Sequence, residues 1–385
     1  MNLLIKLLKM IGLLIGALVV LILFIGVLFV NFYPTFGHKP SAERLQHFAT
    51  LDHYQDGKFI NQIPSEMDMS FANLASVLGD YIKGNPNRQP NSPLPVEKVD
   101  SLDIANHESS FTGVTWFGHS AILLEVAGKT LFLDPMLGES PSPHPWLGSK
   151  RYSEELPISM DQLPPIDAVL LSHDHYDHLD YESIRALKGK VNAFYVPLGV
   201  GAHLRSWGVE ESKIHEMDWW DEAEHDGIQL TCTPARHFSG RGLFNRASTL
   251  WASWVISAPT ANIYFSGDSG YGPHFKEIGE KLGPFDLAMM ECGQYDLRWE
   301  AIHMLPEQTA QAFVDVQGKV LMPIHWGAFT LALHTWTDPV ERLSAKAREL
   351  DLTLATPKIG QPLILPPRQL PTDAWWEQVR QAVNQ

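Results

Sequence analysis

Cysteine is almost missing from this chain: Cys232 and Cys292 are its only two among 385 residues. Two cysteines cannot build a disulfide framework or a four-cysteine zinc site. Two buried free thiols are the simpler reading, and whether they pair is left open by the sequence. Positive charge is scarce as well. Lysine and arginine total 29 against 44 aspartates and glutamates, a formal net charge of −15. That balance argues against nucleic acid as a partner, which would favour a basic face. No internal repeat recurs at a fixed short period. Histidine, in contrast, is plentiful at 17, and several histidines sit in short motifs with carboxylates.

Met10 to Val30 carries no charge and is apolar throughout, long enough to cross a bilayer as one helix. A buried core helix is usually shorter and keeps a polar face, which this run lacks. It continues into Asn31-Phe32-Tyr33-Pro34 with no Ala-x-Ala cleavage signal, so residues 1–33 read as a retained anchor rather than a cleaved signal peptide. Lys6 and Lys9 precede the run and keep the N-terminus cytoplasmic. The expectation is a single-pass inner-membrane anchor with the rest of the chain periplasmic, given a Gram-negative source. Residues 34–105 read as a linker or N-terminal extension, with Gly84 to Pro93 dense in turn formers.

From Val114 onwards, short β-rich apolar runs alternate with longer polar stretches. Strands are expected over 114–117, 121–126, 130–133, 168–171, 228–231, 262–265, 287–290 and 320–322. Helices are expected over 306–316 and 338–350. Interleaved strands and helices imply an α/β fold, with a hydrolase domain over 106–370 and a C-terminal helix within 371–385, over Thr372 to Val383.

The sharpest signal is Ser172-His173-Asp174-His175-Tyr176-Asp177-His178, directly after an apolar strand. A turn there can aim His173 and His175 at one point, and Asp177 and His178 at a second point nearby. Imidazole and carboxylate suit zinc, with iron or manganese as alternatives. One loop cannot complete two coordination spheres, but three more strand ends carry His237, Asp268 and His325. Open α/β sheets collect their sites at one end of their strands.

The ordered set His-x-His-x-Asp-His, then His, Asp and His, resembles the metallo-β-lactamase superfamily, whose fold is an αββα sandwich. The resemblance implies one metal on His173, His175 and His237, a second on Asp177, His178 and His325, and Asp268 bridging both. A closer resemblance covers about Val114 to His334. It is carried by Thr115 to Ser120, Ser172 to Asp180, Asp218 to Asp221, His237 to Gly242, Leu250 to Trp254, Ser266 to Tyr271, Gly293 to Tyr295, His303 to Glu307 and Ile324 to Phe329. These are similar to the N-acylphosphatidylethanolamine-hydrolysing phospholipase D family and its bacterial relatives. Gln294 stands where alanine is expected and Ala328 where threonine is expected. By the same resemblance His303 lines the active site and touches a phosphate oxygen or the leaving group.

Asp134 reads either as the hydrogen-bond partner of a ligand imidazole or as a plain turn aspartate. His119 reads as a core histidine. Arg236, Arg241 and Arg246 cluster around His237 and read as phosphate or membrane contacts or as ordinary surface charge. Two cations would hold hydroxide from a shared water at neutral pH, with Asp177 and Asp268 positioning that water. The function expected is a two-zinc phosphodiesterase acting on a phospholipid. The alternatives are a hydrolase of a soluble ester, lactone or phosphodiester, and a non-enzymatic metal-binding protein of the envelope.

Overall fold

The uncharged N-terminal run folds as one helix, α1 (Asn2–Phe32), in a computed structural model that describes residues 2–65, 70–105, 108–367 and 369–381. Pro34 ends it, because proline offers no N–H and disfavours helix at the residue before it. Among the described residues α1 is the one helix long and apolar enough to cross a membrane, and it is exposed along most of its length. The extension then forms α2 (Ala42–Phe48), the hairpin β1 (Tyr54–Gln55) and β2 (Lys58–Phe59), α3 (Phe71–Lys83) and α4 (Ser101–Ala105). It is no free tether: Phe48 and Phe59 are buried against Leu198, Ala235, Leu250 and Trp251. The turn-rich stretch from Gly84 to Pro93 has neither helix nor strand, yet it too is fastened. The Arg88 Nε donates to the Ala332 carbonyl at 2.9 Å, and the Tyr152 hydroxyl donates to the Arg88 carbonyl at 3.0 Å.

The next strands are β3 (Thr112–Trp116), β4 (Ile122–Val126), β5 (Lys129–Leu133) and β6 (Ile166–Leu170). They lead through α5 (Tyr181–Leu187), β7 (Val191–Pro197) and α6 (Gly201–Ser206) to β8 (Ile214–Met217). The second half runs β9 (Glu222–His225), β10 (Ile228–Thr233), β11 (Ser253–Ala258), β12 (Ala261–Phe265), α7 (His274–Leu282), β13 (Leu287–Glu291), α8 (Pro306–Asp315) and β14 (Leu321–Ile324). It closes with α9 (Asp338–Glu349), β15 (Pro362–Leu365) and α10 (Trp375–Gln381). One sheet has the order β15-β3-β4-β5-β6-β7-β8 and the other β14-β13-β12-β11-β10-β9.

Side chains alternate faces along a strand, and here both faces of both sheets are covered. Leu124, Leu131, Ala168 and Leu170 meet Leu230, Trp254, Ile263 and Met289 between the sheets. The intervening residues Leu123, Phe132, Val169 and Phe194 pack on Ile184 and Leu187 of α5 and Leu204 of α6. On the far side Val255, Tyr264, Ala288 and Met290 pack on Phe275 and Ile278 of α7, Phe313 of α8 and Leu343 of α9. The result is the expected αββα sandwich. Helix α10 begins at Trp375, three residues after the start expected at Thr372. Its Trp375 and Trp376 join the inter-sheet core beside Trp326 and Trp336, so it packs as part of the sandwich. Residues 382–385 of that expected helix, and residues 106 and 107 where the extension was expected to give way, lie outside the described residues.

Candidate metal centre

Strands β10 and β12 both pair antiparallel with β11, and β12, β13 and β14 are mutually parallel. Their C-terminal ends therefore share one edge, and His237, Asp268 and His325 follow those ends. In the facing sheet β6 delivers His173, His175, Asp177 and His178 from the loop before α5. All seven residues expected from the sequence meet in one place.

They form two groups. In the first, the His173 Nε2 lies 2.9 Å from the His175 Nδ1, and the His237 Nε2 lies 3.2 Å from that same nitrogen. Three ligands at about 2.0–2.1 Å from a tetrahedral zinc stand roughly 3.3 Å apart, so this triad has the right span. In the second, Asp177 Oδ2 stands 3.2 Å from the His325 Nε2 and 3.5 Å from the His178 Nε2. Asp268 sits between the groups. Its Oδ2 is 3.1 Å from the Nε2 of both His178 and His325, 3.7 Å from that of His237 and 3.8 Å from that of His173.

Neither oxygen of Asp268 accepts a hydrogen bond, although the residue is buried. A buried carboxylate in that condition is costly unless a cation compensates it, so the donor set fits metal ions. The protonation states of the first group agree. Burial is the largest cause holding His173 and His237 well below the ordinary imidazole range, and it lowers His175 to about 4. These three rings are neutral, as ligands must be. Burial opposes ionisation of Asp177 and Asp268, but the facing imidazoles, His178 foremost, outweigh it and hold both carboxylates far below their usual range. Burial opposes protonation of His178 and His325, but the facing carboxylates, Asp268 foremost, outweigh it. They raise His178 well above the ordinary imidazole range and His325 to about 10. These protonated rings hold the positive charge that divalent cations would supply in their place.

Residues 129–326, which contain all seven side chains, match the β-lactamase superfamily domain. The chain belongs to the metallo-β-lactamase superfamily. An uncharacterized protein of Mycobacterium tuberculosis is 42% identical to it over 328 residues, covering 84% of this chain and 87% of the relative. The N-acyl-phosphatidylethanolamine-hydrolyzing phospholipase D 1 of Caenorhabditis elegans is 31% identical over 288 residues, 70% of this chain and 80% of the nematode protein. Among solved structures, the isothiocyanate hydrolase from Delia radicum gut bacteria shares the fold with a TM-score of 0.52 at 20% identity, over 65% of this chain and 97% of that one.

In this metallo-hydrolase a second layer of side chains orients the first. Asp134, beyond the end of β5, accepts from the His178 Nδ1 at 2.7 Å, from the Ser172 N–H at 2.6 Å and from the Ser172 hydroxyl at 2.5 Å. It is the imidazole partner rather than a plain turn residue. Asp174, inside the metal loop, turns the other way. Its carboxylate accepts from the Gly240 N–H at 2.6 Å, the Thr249 hydroxyl at 2.9 Å and the His203 Nε2 at 3.1 Å.

Two further residues reach the site, Glu291, for which the sequence offers no role, and His119. Glu291, the last residue of β13, is fully buried and binds His303 through Nδ1. It also accepts from the Ser269 N–H at 2.9 Å and stands 3.5 Å from the His325 Nδ1. A lone acid closing an apolar strand run was its one signal. His119 is a buried, hydrogen-bonded core histidine, as expected, and its partner is a residue of the site. Its Nε2 reaches Asp177 Oδ2 at 2.9 Å, and its ring lies 4.2 Å from that of His325. Burial lowers its pKa to about 3, so the ring is neutral and can donate to Asp177 or stand as a further nitrogen ligand of that group.

The arginine cluster is also different from expectation. Arg236 donates to the carbonyls of Pro64 and Tyr271 and to the Ser65 hydroxyl. Arg241 is buried and donates to the carbonyls of Thr35, Asp174 and Leu179. Both are internal ties, not phosphate contacts. Arg246 lies over the Phe238 ring, 3.6 Å from its centroid. Gln294 braces the loop after β14, accepting from the N–H groups of Leu331 and Ala332, each at 2.9 Å. Cys232 and Cys292 are free and buried.

Proposed function

We propose that this chain is a membrane-anchored, two-zinc phosphodiesterase that cleaves an N-acylated phosphatidylethanolamine or a related phospholipid. The observation that carries the reading is Asp268, shared by two separate imidazole groups. In this reading His173, His175 and His237 hold one ion, Asp177, His178 and His325 hold the other, and Asp268 touches both. The name of the nematode relative supports the substrate class, and α1 supports a lipid substrate independently. Residues 1–9 lie in the cytoplasm and residues from 34 onwards across the inner membrane, in the periplasm.

Bound divalent ions supply acidity to a coordinated water and draw charge from a phosphoryl oxygen. The chain's own groups do the rest. Asp177 and Asp268 fix the attacking water. The water oxygen forms the new bond to phosphorus as the bond to the ethanolamine oxygen breaks, giving phosphatidic acid and an N-acylethanolamine. His303, its Nδ1 held by Glu291, donates a proton from Nε2 to the departing oxygen, and the proton that the attacking water gives up restores the ring. Its ring lies 5.0 Å from His237 and 5.1 Å from His325, at the rim of both groups.

The test is metal analysis and lipid turnover with the purified full-length protein. The expected result is close to two zinc ions per chain and release of N-acylethanolamine from N-acylated phosphatidylethanolamine, both lost in Asp268→Ala. Full activity in Asp268→Ala would overturn the two-metal assignment. Hydrolysis of a soluble ester or lactone without turnover of any phospholipid would overturn the substrate class.

A further inference from the structure

The segment leaving α1 is bolted to the metal loop. Arg241 donates through Nε to the Thr35 carbonyl at 2.8 Å and through Nη1 to the carbonyls of Asp174 and Leu179, each at 2.7 Å. The His38 N–H donates to the His203 Nδ1 at 3.0 Å, and the His203 Nε2 donates to Asp174. The Trp207 indole donates to the Pro34 carbonyl at 2.7 Å. Asp174 lies between His173 and His175, so the end of α1 and the metal centre stand in a fixed relation.

Two loops flank that exit. The first is held by the Thr35 hydroxyl, which donates to the Pro143 carbonyl at 2.8 Å, and by the Tyr33 ring, 5.7 Å from the His144 ring. Its tip carries Trp146, 89% exposed, and Leu147, 65% exposed. The second is the loop of Arg241 itself. It begins at Phe238, whose ring packs 4.5 Å from that of His175, and its tip carries Leu243 and Phe244, 76% and 96% exposed. In a chain of net charge −15, residues 140–149 and 238–249 contain no aspartate or glutamate. Large apolar side chains presented at loop tips beside a spanning helix match the aromatic and apolar belts of membrane interfaces.

We propose that Trp146, Leu147, Leu243 and Phe244 insert into the lipid bilayer around the end of α1 and seat the rim of the metal centre on the membrane. The inference rests on α1 being a retained anchor. An acidic domain is repelled by an anionic surface, so the seating is apolar and the acid-free loops are the parts that approach. Phe238 then joins the bilayer face to His175, giving a lipid head group a short path to the metals.

Leu147→Cys, Phe244→Cys, Leu21→Cys and Glu349→Cys are each made in the full chain, labelled with a nitrobenzoxadiazole fluorophore and reconstituted in phosphatidylcholine vesicles carrying acyl-chain nitroxide quenchers. Cys232 and Cys292 are buried, and unsubstituted protein gives the background label. The expected result is quenching at 147 and 244 several-fold above that at 349 and approaching that at 21. Quenching at 21 with none at 147 and 244 would overturn the seating and leave the anchor standing. No quenching at 21 would overturn the anchor, and with 147 and 244 also unquenched the seating falls with it. Quenching at 147 and 244 without quenching at 21 would overturn the seating around α1, since the loops would then meet lipid without the anchor.

Discussion

The His178 Nδ1 donates to Asp134 Oδ2 across 2.7 Å, which leaves Nε2 as the nitrogen turned toward Asp177 and Asp268. Removing Asp134 frees that ring to rotate and strips the Ser172 N–H and hydroxyl of their acceptor. Asp134→Ala is expected to weaken metal binding by about 10–100-fold. Competition with a chromophoric chelator reads this directly, and unchanged chelator resistance would refute it.

Glu291 and His303 act as a pair in the proposed reaction. His303→Ala is expected to lower kcat by about 10²–10⁴-fold, the usual range for a lost general acid, with metal content unchanged. Glu291→Gln keeps the size of the side chain but weakens its hold on Nδ1, so it should fall between His303→Ala and the parent. If His303→Ala lost metal in parallel with activity, the ring would be a ligand rather than a proton donor.

Buried His274 sets an acid limit on stability. Its Nε2 lies 3.0 Å from the Ser269 hydroxyl, and burial first, then Arg236, lowers its pKa to about 3. In the unfolded chain the ring takes a proton below about 6.5. Between those values the unfolded state binds the extra proton, so stability falls as pH drops from 6.5 towards 3. His274→Gln keeps a hydrogen-bonding side chain and cannot be protonated, and its melting temperature should decline less steeply over that window. Parallel melting curves against pH for the two proteins would rule this out.

Gly37 is a position where a side chain cannot enter. Its φ is 68°, and a Cβ there would stand 2.0 Å from the His203 Nδ1. Gly37→Ala is expected to cost about 1–3 kcal/mol through strain and overpacking, seen as a lower melting temperature. Gly189 has open space around it and no such conformation, so Gly189→Ala serves as the control. Equal melting temperatures for the two variants would show that the tie between His38 and His203 yields without cost.

What could be read from the sequence was what is written locally. Three histidines and an aspartate within one loop announce a metal site wherever the loop lies, and strands buried on both faces show as unbroken apolar runs. Glu291 went unnoticed because its partner His303 arrives from the next loop, and only the placement of β13 between β12 and β14 brings it against His325 as well. His119 reads from the sequence as a satisfied core histidine, but its partner Asp177 is hidden there because their meeting depends on two distant turns. The His119 N–H donates to the Trp326 carbonyl, and the His325 N–H donates to the His119 carbonyl, each at 2.9 Å. Both histidines take positive φ there. Arg241 reads from the sequence as a phosphate or membrane contact or as surface charge because its carbonyl acceptors, Thr35 and the metal-loop residues Asp174 and Leu179, are far from it along the chain.

The residues that meet Asp268 come from both sheets, the earliest at His173 and the latest at His325. A nascent chain reaching only as far as β12 can gather the first imidazole group but has no His325 for the second. Contacts so distant in sequence cost chain entropy before they form, and the second group is complete only when β14 has docked on β13. In the proposed two-metal reading, metal uptake would then work as a check on completion. A chain ending at β12 would lack both Asp268 and His325, and the metal-loaded fraction of a preparation would report how much of the protein had closed both halves of the sandwich.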